Sequence, residues 1–597
     1  MRFRHRLWFA AATLVILAGF LYDFDGYPLL EPDEGRNAEV SREMALTNDY
    51  VLPRLNGIPY VDKPALYFVA GALGMEILGP TSLAARLPSL VFTLATVLVV
   101  AWFARRLFGA NAPWIAAAVT AATPFTLAYS RTVIFDSALT LWVVLALVGF
   151  YLSVSTSPPT TGRSPPKAQS APWYRALAWA AMGLGVLTKG PIALGIPLLV
   201  AVPYAVWRKR TRALFDPVAV LLFVAIVLPW VVAVSREVPG FLGYAIGTET
   251  VARLTTSTLE RTGPFWYFLA ILPAATLPWS IVLAVGGWQE WRSARGSGRA
   301  ADERVVFLIV WILVPLVFFT LSQSKRPQYM LPLVPAVGLL VGALWTDMRG
   351  RLQGARPAAL GLGLLGVFFI LTRASIASWV STSPDVAGAI PWTATLFGSV
   401  CCVAAGAAWI GAGQRGAAVL ALSLPVASIP VVGADLMGAI GRDRSAEDLA
   451  IAIRDAAGDG VEIVGISALP LSLPFYANRT VTLSTADGAE LTSNYLVRTI
   501  DTWRGVPGST LRDVDWWRQA VTSCARSRAF VVRAEDAPAR SFLDGAMPLI
   551  IATRKWAAYG PCGTGRLAAT QQPAPNRAER PGDQQAEYQD GQYEPRS

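Results

Sequence analysis

The sequence predicts a polytopic α-helical membrane protein with a second, water-exposed α/β domain at its C-terminal end. Hydrophobic residues make up 54% of the 597 residues and charged residues only 15%, and the mean hydropathy is +0.44. Apolar runs long enough to cross a bilayer recur through residues 1–434, which we interpret as a transmembrane domain. After about residue 435 the pattern changes to short amphipathic and β-branched segments that are typical of a soluble fold.

The transmembrane domain contains about thirteen apolar runs of spanning length. The first run follows the basic residues of MRFRHR and has no small-x-small cleavage site, so we expect a retained span rather than a removed signal peptide. Each run predicts one transmembrane helix. The runs lie at approximately 7–22, 84–104, 112–129, 137–155, 174–187, 192–207, 217–235, 265–287, 304–321, 330–346, 357–373, 392–412 and 416–434.

Basic residues are concentrated in alternate connectors between these runs, and this predicts the orientation of the chain. By the positive-inside rule such connectors face the cytoplasm. The N-terminus is then cytoplasmic, and a first loop over residues 23–83 and the C-terminal domain are both extracytoplasmic. The basic connectors contain Arg2, Arg4, Arg6, Arg105, Arg106, Arg163, Lys167, Arg208, Lys209, Arg210, Arg212, Arg292, Arg295, Arg299, Arg349, Arg351, Arg356 and Arg415.

Residues 435–567 predict a soluble extracytoplasmic α/β domain. Residues 445–457, SAEDLAIAIRDAA, have the spacing of an amphipathic helix with Ser445 as its cap. Three β-branched segments predict strands, because they are short, apolar and bounded by turn residues. They lie at 461–466, 479–484 and 529–534.

Two further features of the C-terminal part depend on its location and composition. Cys524 and Cys562 could form a disulfide if the domain lies outside the cytoplasm, where oxidised cysteines persist. The tail at residues 568–597 is rich in Gln, Pro, Glu and Arg. Such a composition buries too little apolar surface to fold, so we predict that the tail is disordered.

Residues 31–64, directly after the first apolar run, form a long, charged segment punctuated by proline. Such a segment cannot lie in hydrocarbon and is longer than a simple connector requires, so we interpret it as a functional surface. Asp33 and Glu34 follow the end of a span, where a lipid-borne and a water-borne substrate can meet. Alternatively, Asp33 caps a helix that runs to Leu46, although Arg at position 36 leaves this cap without a capping box.

The other predicted outer connectors also carry ionisable residues near span ends. Separate ionisable groups on one side of a membrane protein suggest a shared site for an anionic substrate. The alternative for each one is a charge that anchors its helix at the interface. The residues are Arg131, Asp136, Lys189, Glu249, Arg253, Lys325, Arg326 and Tyr329.

Several function classes find no support in the sequence. The net charge of +11 comes from the basic connectors, and no nucleic-acid module is present. One His and four Cys exclude the usual zinc patterns. The glycines from Gly361 to Gly366 match a dinucleotide fingerprint inside an apolar run, which favours close helix packing. Asp513 and Asp515 resemble a metal-binding pair, but we interpret them as part of a solvated turn.

Ordered motifs in the first loop resemble those of a known family. They are Glu31-Pro-Asp-Glu-Gly-Arg, Arg42-Glu43-Met44, Pro53, Asn56-Gly57 and Asp62-Lys63-Pro64. This loop resembles the first extracytoplasmic loop of GT-C superfamily glycosyltransferases of the aminoarabinose transferase (ArnT-like) and protein O-mannosyltransferase (PMT) families. With later motifs, the resemblance extends over roughly the first 340 residues. It implies a GT-C fold.

The resemblance also implies roles for individual residues. It makes Asp33 of the Asp33-Glu34 pair the catalytic base and Asp136 a second catalytic carboxylate, and we assign Glu34 to the catalytic set beside Asp33. It places Lys63, Arg253 and Tyr329 at the phosphate of the donor. The residue chemistry adds three candidate phosphate-binding cations, because a lipid phosphate that leaves near the bilayer needs positive charge. These are Lys189, Lys325 and Arg326.

One departure from the family bears on a cofactor. Relatives often carry a Glu before the first-loop Lys and a His before P-F-W-Y, which are proposed to hold a divalent metal. This chain has Asp62 at the first position and, near Pro264, only Glu260 and Arg261. The identity of any metal ligand is therefore unknown. We expect no tightly bound cofactor, and a divalent cation remains open.

These features predict a glycosyltransferase in the cytoplasmic (inner) membrane of a bacterium. It would move a sugar from a polyprenyl-phosphate donor to a lipid A-like lipid, a glycan or a protein on the outer face, with inversion at the anomeric carbon. Its partners would be the donor, the acceptor and membrane lipids, without nucleic acid. The alternatives are a transporter or flippase of lipid-linked sugars, although no internal repeat is evident, and a structural or sensory membrane protein.

Overall fold

The computed structural model describes residues 2–155, 172–247, 263–297, 301–346, 352–380, 383–524 and 526–562. The predicted disordered tail lies outside these residues. Helices occupy Arg2–Leu21, Asp33–Thr47, Leu66–Leu78, Ser82–Phe108, Ala112–Ala121, Pro124–Ser130, Asp136–Val154, Pro172–Lys189, Ile192–Trp207, Pro217–Glu237, Phe241–Gly243, Tyr267–Ala275, Trp279–Gly296, Glu303–Leu321, Val334–Thr346, Ala355–Val380, Pro384–Ile410, Arg415–Val432, Ala434–Arg444, Glu447–Ala457, Leu473–Ala477, Asn494–Arg504, Trp516–Ser523 and Ala537–Asp544. Short 3₁₀ helices occupy Thr211–Ala213, Pro327–Leu333, Gly411–Gly413 and Ala489–Leu491.

Each predicted apolar run is helical in the structure, but the runs differ in length. Eight of the described helices are long and apolar enough to cross a membrane, or nine if a bent pair forms one span. The pair, Tyr267–Ala275 and Trp279–Gly296, bends by 99°. The fold class is confirmed, whereas the number of thirteen spans stays a prediction. Shorter apolar helices lie at Leu7–Leu21, Leu66–Leu78, Ala112–Ala121 and Ile192–Trp207.

The first loop is folded. It contains the helix Asp33–Thr47, an antiparallel hairpin of β1 (Arg54–Leu55) and β2 (Ile58–Pro59), and the apolar helix Leu66–Leu78. Asn56 and Gly57 form the turn with φ of 56° and 79°, and an Asn-Gly pair adopts such angles at low cost. Sequence reasoning missed the apolar helix, since its 13 residues are shorter than the about 20 that a span requires.

The C-terminal domain is built on a mixed six-stranded sheet in the order β5-β4-β3-β6-β8-β7. β3, β4, β5 and β6 are parallel, while β8 pairs antiparallel with β6 and β7. The three predicted strands correspond to β3, β4 and β6. The predicted helix begins at Glu447, but its N-cap is Ala446 rather than Ser445, although the Glu447 N–H donates to Ser445 Oγ at 3.2 Å. The strands are β3 (Glu462–Ile466), β4 (Thr482–Ser484), β5 (Leu511–Arg512), β6 (Arg528–Arg533), β7 (Leu549–Ala552) and β8 (Trp556–Cys562).

A disulfide joins Cys524 to Cys562, as the sequence allowed. It ties the end of the helix Trp516–Ser523 to the end of β8, with the two Cα atoms 5.7 Å apart. Cross-links of this kind persist in oxidising compartments.

The first loop and the C-terminal domain pack against each other and share one apolar core. Asn56 pairs with the backbone of Val481 through both its amide atoms, each at 2.7 Å. The Glu31 carboxylate accepts hydrogen bonds from the N–H groups of Leu471, at 2.9 Å, and Ser472, at 2.5 Å. The two units therefore lie on the same side of the helical bundle, and which side faces out of the cell stays a prediction.

Two sequence patterns that we discounted have structural explanations. A Cβ on Gly366 would lie 2.5 Å from the carbonyl oxygen of Gly398, so the glycine permits close packing of two helices. The side chains of Asp513 and Asp515 are 83% and 80% exposed, as expected for a solvated turn.

Candidate active site

One pocket forms where the first loop, the helical bundle and the C-terminal domain meet. Four cationic side chains, three carboxylates and several neutral polar groups line it. A pocket of this charge suits a ligand that carries a phosphate and a polar head group. Six of the nine predicted site residues line it, namely Asp33, Lys63, Asp136, Lys189, Arg326 and Tyr329.

Asp33 is the first residue of the helix Asp33–Thr47, where the helix dipole favours a carboxylate. Its Oδ1 accepts a hydrogen bond from Arg36 Nη2 at 2.5 Å, and Oδ2 lies 3.5 Å from Arg326 Nη1. The side chain remains 36% exposed, so it is accessible from the pocket. The predicted helix exists, but the alternative role of Asp33 as its cap is wrong, because Pro32 precedes the helix without a side-chain cap.

Asp136 and Lys189 form an ion pair at the ends of two membrane helices. Lys189 Nζ lies 2.5 Å from Asp136 Oδ1, and the aspartate side chain is only 2% exposed. Asp136 begins its helix and Lys189 ends its own, so each charge complements a helix dipole. Lys189 Nζ also lies 5.6 Å from the centre of the Tyr329 ring. The pair therefore holds an ammonium group at the pocket wall beside the tyrosine.

Lys63 lines the pocket and lies at the end of the charged segment, residues 31–64. Its Nζ donates to the backbone oxygen of Asp62 at 2.6 Å. The Asp62 side chain turns to the C-terminal domain, where Oδ2 accepts the N–H of Asn494 at 3.0 Å and Oδ1 that of Tyr495 at 3.2 Å. Asp62 thus holds the N-terminus of the helix Asn494–Arg504, whose dipole favours a carboxylate there.

The described residues do not fit a divalent metal. Asp62, at the position where relatives carry a proposed ligand, also accepts the Tyr244 hydroxyl at 2.6 Å, so its two oxygens already accept three hydrogen bonds. No group of three or more His, Cys, Asp or Glu side chains in the described ranges could hold a metal ion. Glu260 and Arg261 lie outside those ranges. We derive no step of the reaction through a metal.

Glu34 is not brought into the pocket, although the sequence placed it beside Asp33. Its side chain is 3% exposed and binds Arg86, with Oε2 3.0 Å from Nη2 and Oε1 3.1 Å from Nε. The same carboxylate accepts the N–H groups of Leu30 and Val133 at 3.0 Å. These contacts favour a structural role, which corrects our assignment of Glu34 to the catalytic set.

Lys325 is also outside the pocket. Its Nζ donates to the carbonyl oxygens of Phe319 and Thr320, at 3.1 and 2.6 Å, at the end of the helix Glu303–Leu321. Burial lowers the pKa of this ammonium group. We therefore correct its assignment from phosphate binding to helix capping.

Arg131 does not line the pocket. Arg131 donates to the carbonyl oxygens of Phe20 and Tyr22 at 2.9 Å, so it closes the C-terminal end of the first helix. The predictions for Arg253 and Glu249 lie outside the described residues.

Sequence reasoning gave no site role to several polar residues of the pocket, among them Arg36, Asn37, Thr492 and Asn494. Arg36 and Asn37 lie on the helix of Asp33, while Thr492 and Asn494 belong to the C-terminal domain. Arg36 Nη1 donates to Thr492 Oγ1 at 2.8 Å. Burial lowers the pKa of Arg36, but Tyr60, Asp33 and Asp62 more than offset this and raise it above its usual value. The i, i+3 and i, i+4 spacing from Asp33 could have indicated the first two residues.

Sequence comparison identifies relatives of the chain. One relative is the undecaprenyl phosphate-alpha-4-amino-4-deoxy-L-arabinose arabinosyl transferase of Edwardsiella ictaluri (strain 93-146), to which the chain is 29% identical over 391 residues. This alignment covers 64% of this chain and 67% of that protein. The protein of the same name from Aeromonas hydrophila is 30% identical to this chain over 375 residues, and the alignment covers 62% of this chain and 65% of that protein. The family profile of dolichyl-phosphate-mannose-protein mannosyltransferases matches residues 62–235. The chain thus resembles ArnT-type arabinosyl transferases and, over residues 62–235, the mannosyltransferase family.

The predicted resemblance is thereby confirmed, and the fold of this ArnT-like chain agrees with it. The crystal structure of ArnT from Cupriavidus metallidurans bound to undecaprenyl phosphate superposes with a TM-score of 0.76 at 24% identity. The match covers 93% of this chain and 97% of that one, including the C-terminal domain. The sequence alignment with the Aeromonas relative, in contrast, spans less than two thirds of that protein.

Proposed function

We propose that the chain is a glycosyltransferase that moves a sugar from a polyprenyl phosphate to a lipid acceptor outside the cytoplasmic membrane. The observation that carries the proposal is the convergence of Asp33 with Lys63, Lys189, Arg326 and Tyr329 in one pocket. The names of the relatives support undecaprenyl phosphate with 4-amino-4-deoxy-L-arabinose as donor. Lipid A is the acceptor that we propose among the lipid, glycan and protein candidates.

The cations of the pocket would stabilise the leaving phosphate. When the bond between the anomeric carbon and the phosphate oxygen breaks, its electron pair stays on the phosphate. Lys63 and Arg326 line the pocket, and Asp136 fixes Lys189 beside the Tyr329 ring. Positive groups that are already in place stabilise developing charge without reorganisation. Tyr329 would add a hydroxyl donor.

Asp33 would act on the acceptor. Arg36 and Arg326 fix the direction of its carboxylate, which remains accessible. If the acceptor is a hydroxyl, Asp33 takes its proton as the oxygen bonds to the anomeric carbon; if it is an ionised phosphate, Asp33 orients it. Attack from the side opposite the leaving phosphate inverts the anomeric carbon.

The proposed location is the outer face of a bacterial cytoplasmic membrane, with the N-terminus inside. The chain is a multi-pass membrane protein. The positive-inside pattern supports the orientation. The disulfide in the C-terminal domain supports it independently, because such a bond persists outside the reducing cytoplasm.

The decisive experiment is in vitro transfer by the purified full-length chain. We expect it to transfer the sugar from undecaprenyl phosphate-4-amino-4-deoxy-L-arabinose to lipid A, detected by mass spectrometry. A protein acceptor modified in place of lipid A would correct the acceptor. Movement of the donor across liposomes without any transfer would favour the transporter alternative.

A further inference from the structure

Asn37 lies one helical turn after Asp33 and lines the same pocket. Residues four apart share one face of a helix, so Asn37 is a neighbour of the proposed base. Its side chain is 1% exposed and its Nδ2 donates to the carbonyl oxygen of Val133 at 2.9 Å. The residue is therefore held in a fixed position beside the pocket.

The hydrogen bond to Val133 fixes which way the amide faces. A carbonyl oxygen can only accept, so the nitrogen of the amide must face Val133 and Asn37 Oδ1 must face away. This Oδ1 atom is buried and has no hydrogen-bond partner among the described residues. A buried acceptor without a partner costs about 1–3 kcal/mol, and such atoms are rare in native proteins. The cost is removed if a ligand supplies a donor.

The neighbouring Arg36 presents the complementary feature. Its two terminal nitrogens bind Asp33 and Thr492, whereas its Nε is buried and has no partner in the described part of the chain. Two residues that line the pocket, Arg36 and Asn37, thus each carry a buried polar atom without a partner in the described part of the chain. A hydroxyl group can satisfy either atom, because it both donates and accepts.

We propose that Asn37 is a specificity-determining residue whose Oδ1 accepts a hydrogen bond from a donor group on the ring of the transferred sugar. The inference rests on the proposed function and adds a sugar contact to it. The cations Lys63, Lys189 and Arg326 suit the phosphate, whereas a neutral amide suits a ring hydroxyl or an amino group. A site built to pair such a group rejects sugars that lack it.

The test measures binding by the full-length chain in detergent, with and without Asn37→Leu. The probes are undecaprenyl phosphate, undecaprenyl phosphate-4-amino-4-deoxy-L-arabinose, and the same donor with hydrogen in place of the amine. Loss of one hydrogen bond should weaken binding of a sugar-bearing donor about tenfold. Binding of undecaprenyl phosphate, which has no sugar, should change less than about twofold.

The two sugar-bearing probes distinguish the source of the donor group. Weaker binding of both indicates a ring hydroxyl, and weaker binding of only the amino sugar indicates its ammonium group. Equal weakening of all three probes, or no change in any, overturns the proposal. Ser41→Ala is the matched control, because Ser41 is buried one turn further along, its Oγ donates to the carbonyl oxygen of Asn37 at 3.1 Å, and it does not line the pocket.

A second measurement covers the case in which Asn37→Leu does not fold. The unaltered chain is then tested with donors in which each sugar hydroxyl or amine is replaced in turn by hydrogen. One replacement should weaken binding about tenfold, and uniform affinity across the series overturns the proposal. Because binding is measured without turnover, a chain that binds sugar selectively but transfers none to any acceptor contradicts the proposed function and leaves this inference standing.

Discussion

The two sides of the helix Asp33–Thr47 use charge in opposite ways. On the pocket side, Asp33 is accessible and binds Arg36 and Arg326. On the buried side, Glu34 binds Arg86 and Glu39 binds Arg42, with every one of these four side chains at most 3% exposed. The same helix therefore carries one carboxylate open to substrate and others enclosed within the fold.

The difference shows that adjacent charges in a loop can have unrelated functions. A buried ion pair adds little net stability compared with an apolar pair, but loss of one partner leaves an expensive unpaired charge. Glu34 and Arg86 lock the loop to the helix Ser82–Phe108 and so fix the start of the Asp33 helix. Asp33 can then stay accessible without becoming mobile. Variants of the two sides should separate activity from stability.

The largest effect is expected from Asp33→Asn. The substitution keeps the size of the side chain and removes its charge, so it should reduce kcat for sugar transfer by about 100- to 10,000-fold. Because the side chain is 36% exposed, the unfolding temperature should change little. Glycosyl transfer and thermal unfolding of the purified variant check both expectations. Unchanged turnover would remove Asp33 from the reaction.

Glu34→Ala should mainly lower the stability of the folded chain. It leaves Arg86, which is fully buried, without its carboxylate, and such a loss costs about 3–5 kcal/mol. The measurement is thermal unfolding in detergent. The matched control is the double variant Glu34→Leu with Arg86→Met, which removes both charges and should recover part of the loss. A Glu34→Ala protein of normal stability without activity would restore Glu34 to the catalytic set.

Thr492→Val tests whether the C-terminal domain helps to position Asp33 through Arg36. The change removes the hydroxyl that accepts a hydrogen bond from Arg36 Nη1 at 2.8 Å and keeps the shape of the side chain. Without this hydrogen bond, Arg36 should hold Asp33 less well, and kcat should fall about three- to tenfold while KM for the donor changes less. Thr492→Ser should restore kcat. If serine gives no recovery, the hydroxyl has no part in positioning Asp33.

The sequence was sufficient for the fold class and for much of the pocket, because hydropathy and local motifs carry that information. The apolar runs predicted the helices, and six of nine site residues lie in the pocket. Glu34 was misassigned because adjacency in a helix says little about direction, since consecutive side chains point about 100° apart. Its partner Arg86 is 52 residues away, and no local pattern links the two.

The contribution of the C-terminal domain to the pocket could not be predicted for a related reason. Thr492 and Asn494 reach Arg36 and Asp62 across more than 400 residues of chain. They lie in a stretch with no motif of its own, so only the packing of the domain on the loop identifies them. Long-range contacts of this kind depend on the complete fold.

The smallest effect is expected on the pH dependence of stability, from a substitution of Glu43 on the buried side of the helix Asp33–Thr47. Burial and the nearby Glu39 raise its pKa well above the ordinary value of 4.5, with Arg42 opposing. The folded state thus holds the Glu43 proton more tightly than the unfolded state does. Its contribution to stability is complete below pH 4.5 and is lost as the pH rises through the folded pKa.

Glu43→Gln should remove this dependence, because the neutral amide can still accept the N–H of Gly57, which lies 2.9 Å from Glu43 Oε2. Unfolding temperatures of both proteins, measured from pH 4.5 to 8, should coincide most closely at the acid end and diverge as the pH rises, with the variant the more stable. We expect a difference of about 1 kcal/mol at pH 8. The difference between the unfolding temperatures of the two proteins removes the contribution of the other titrating groups. A difference that stays constant from pH 4.5 to 8 would show that Glu43 is ionised throughout this range.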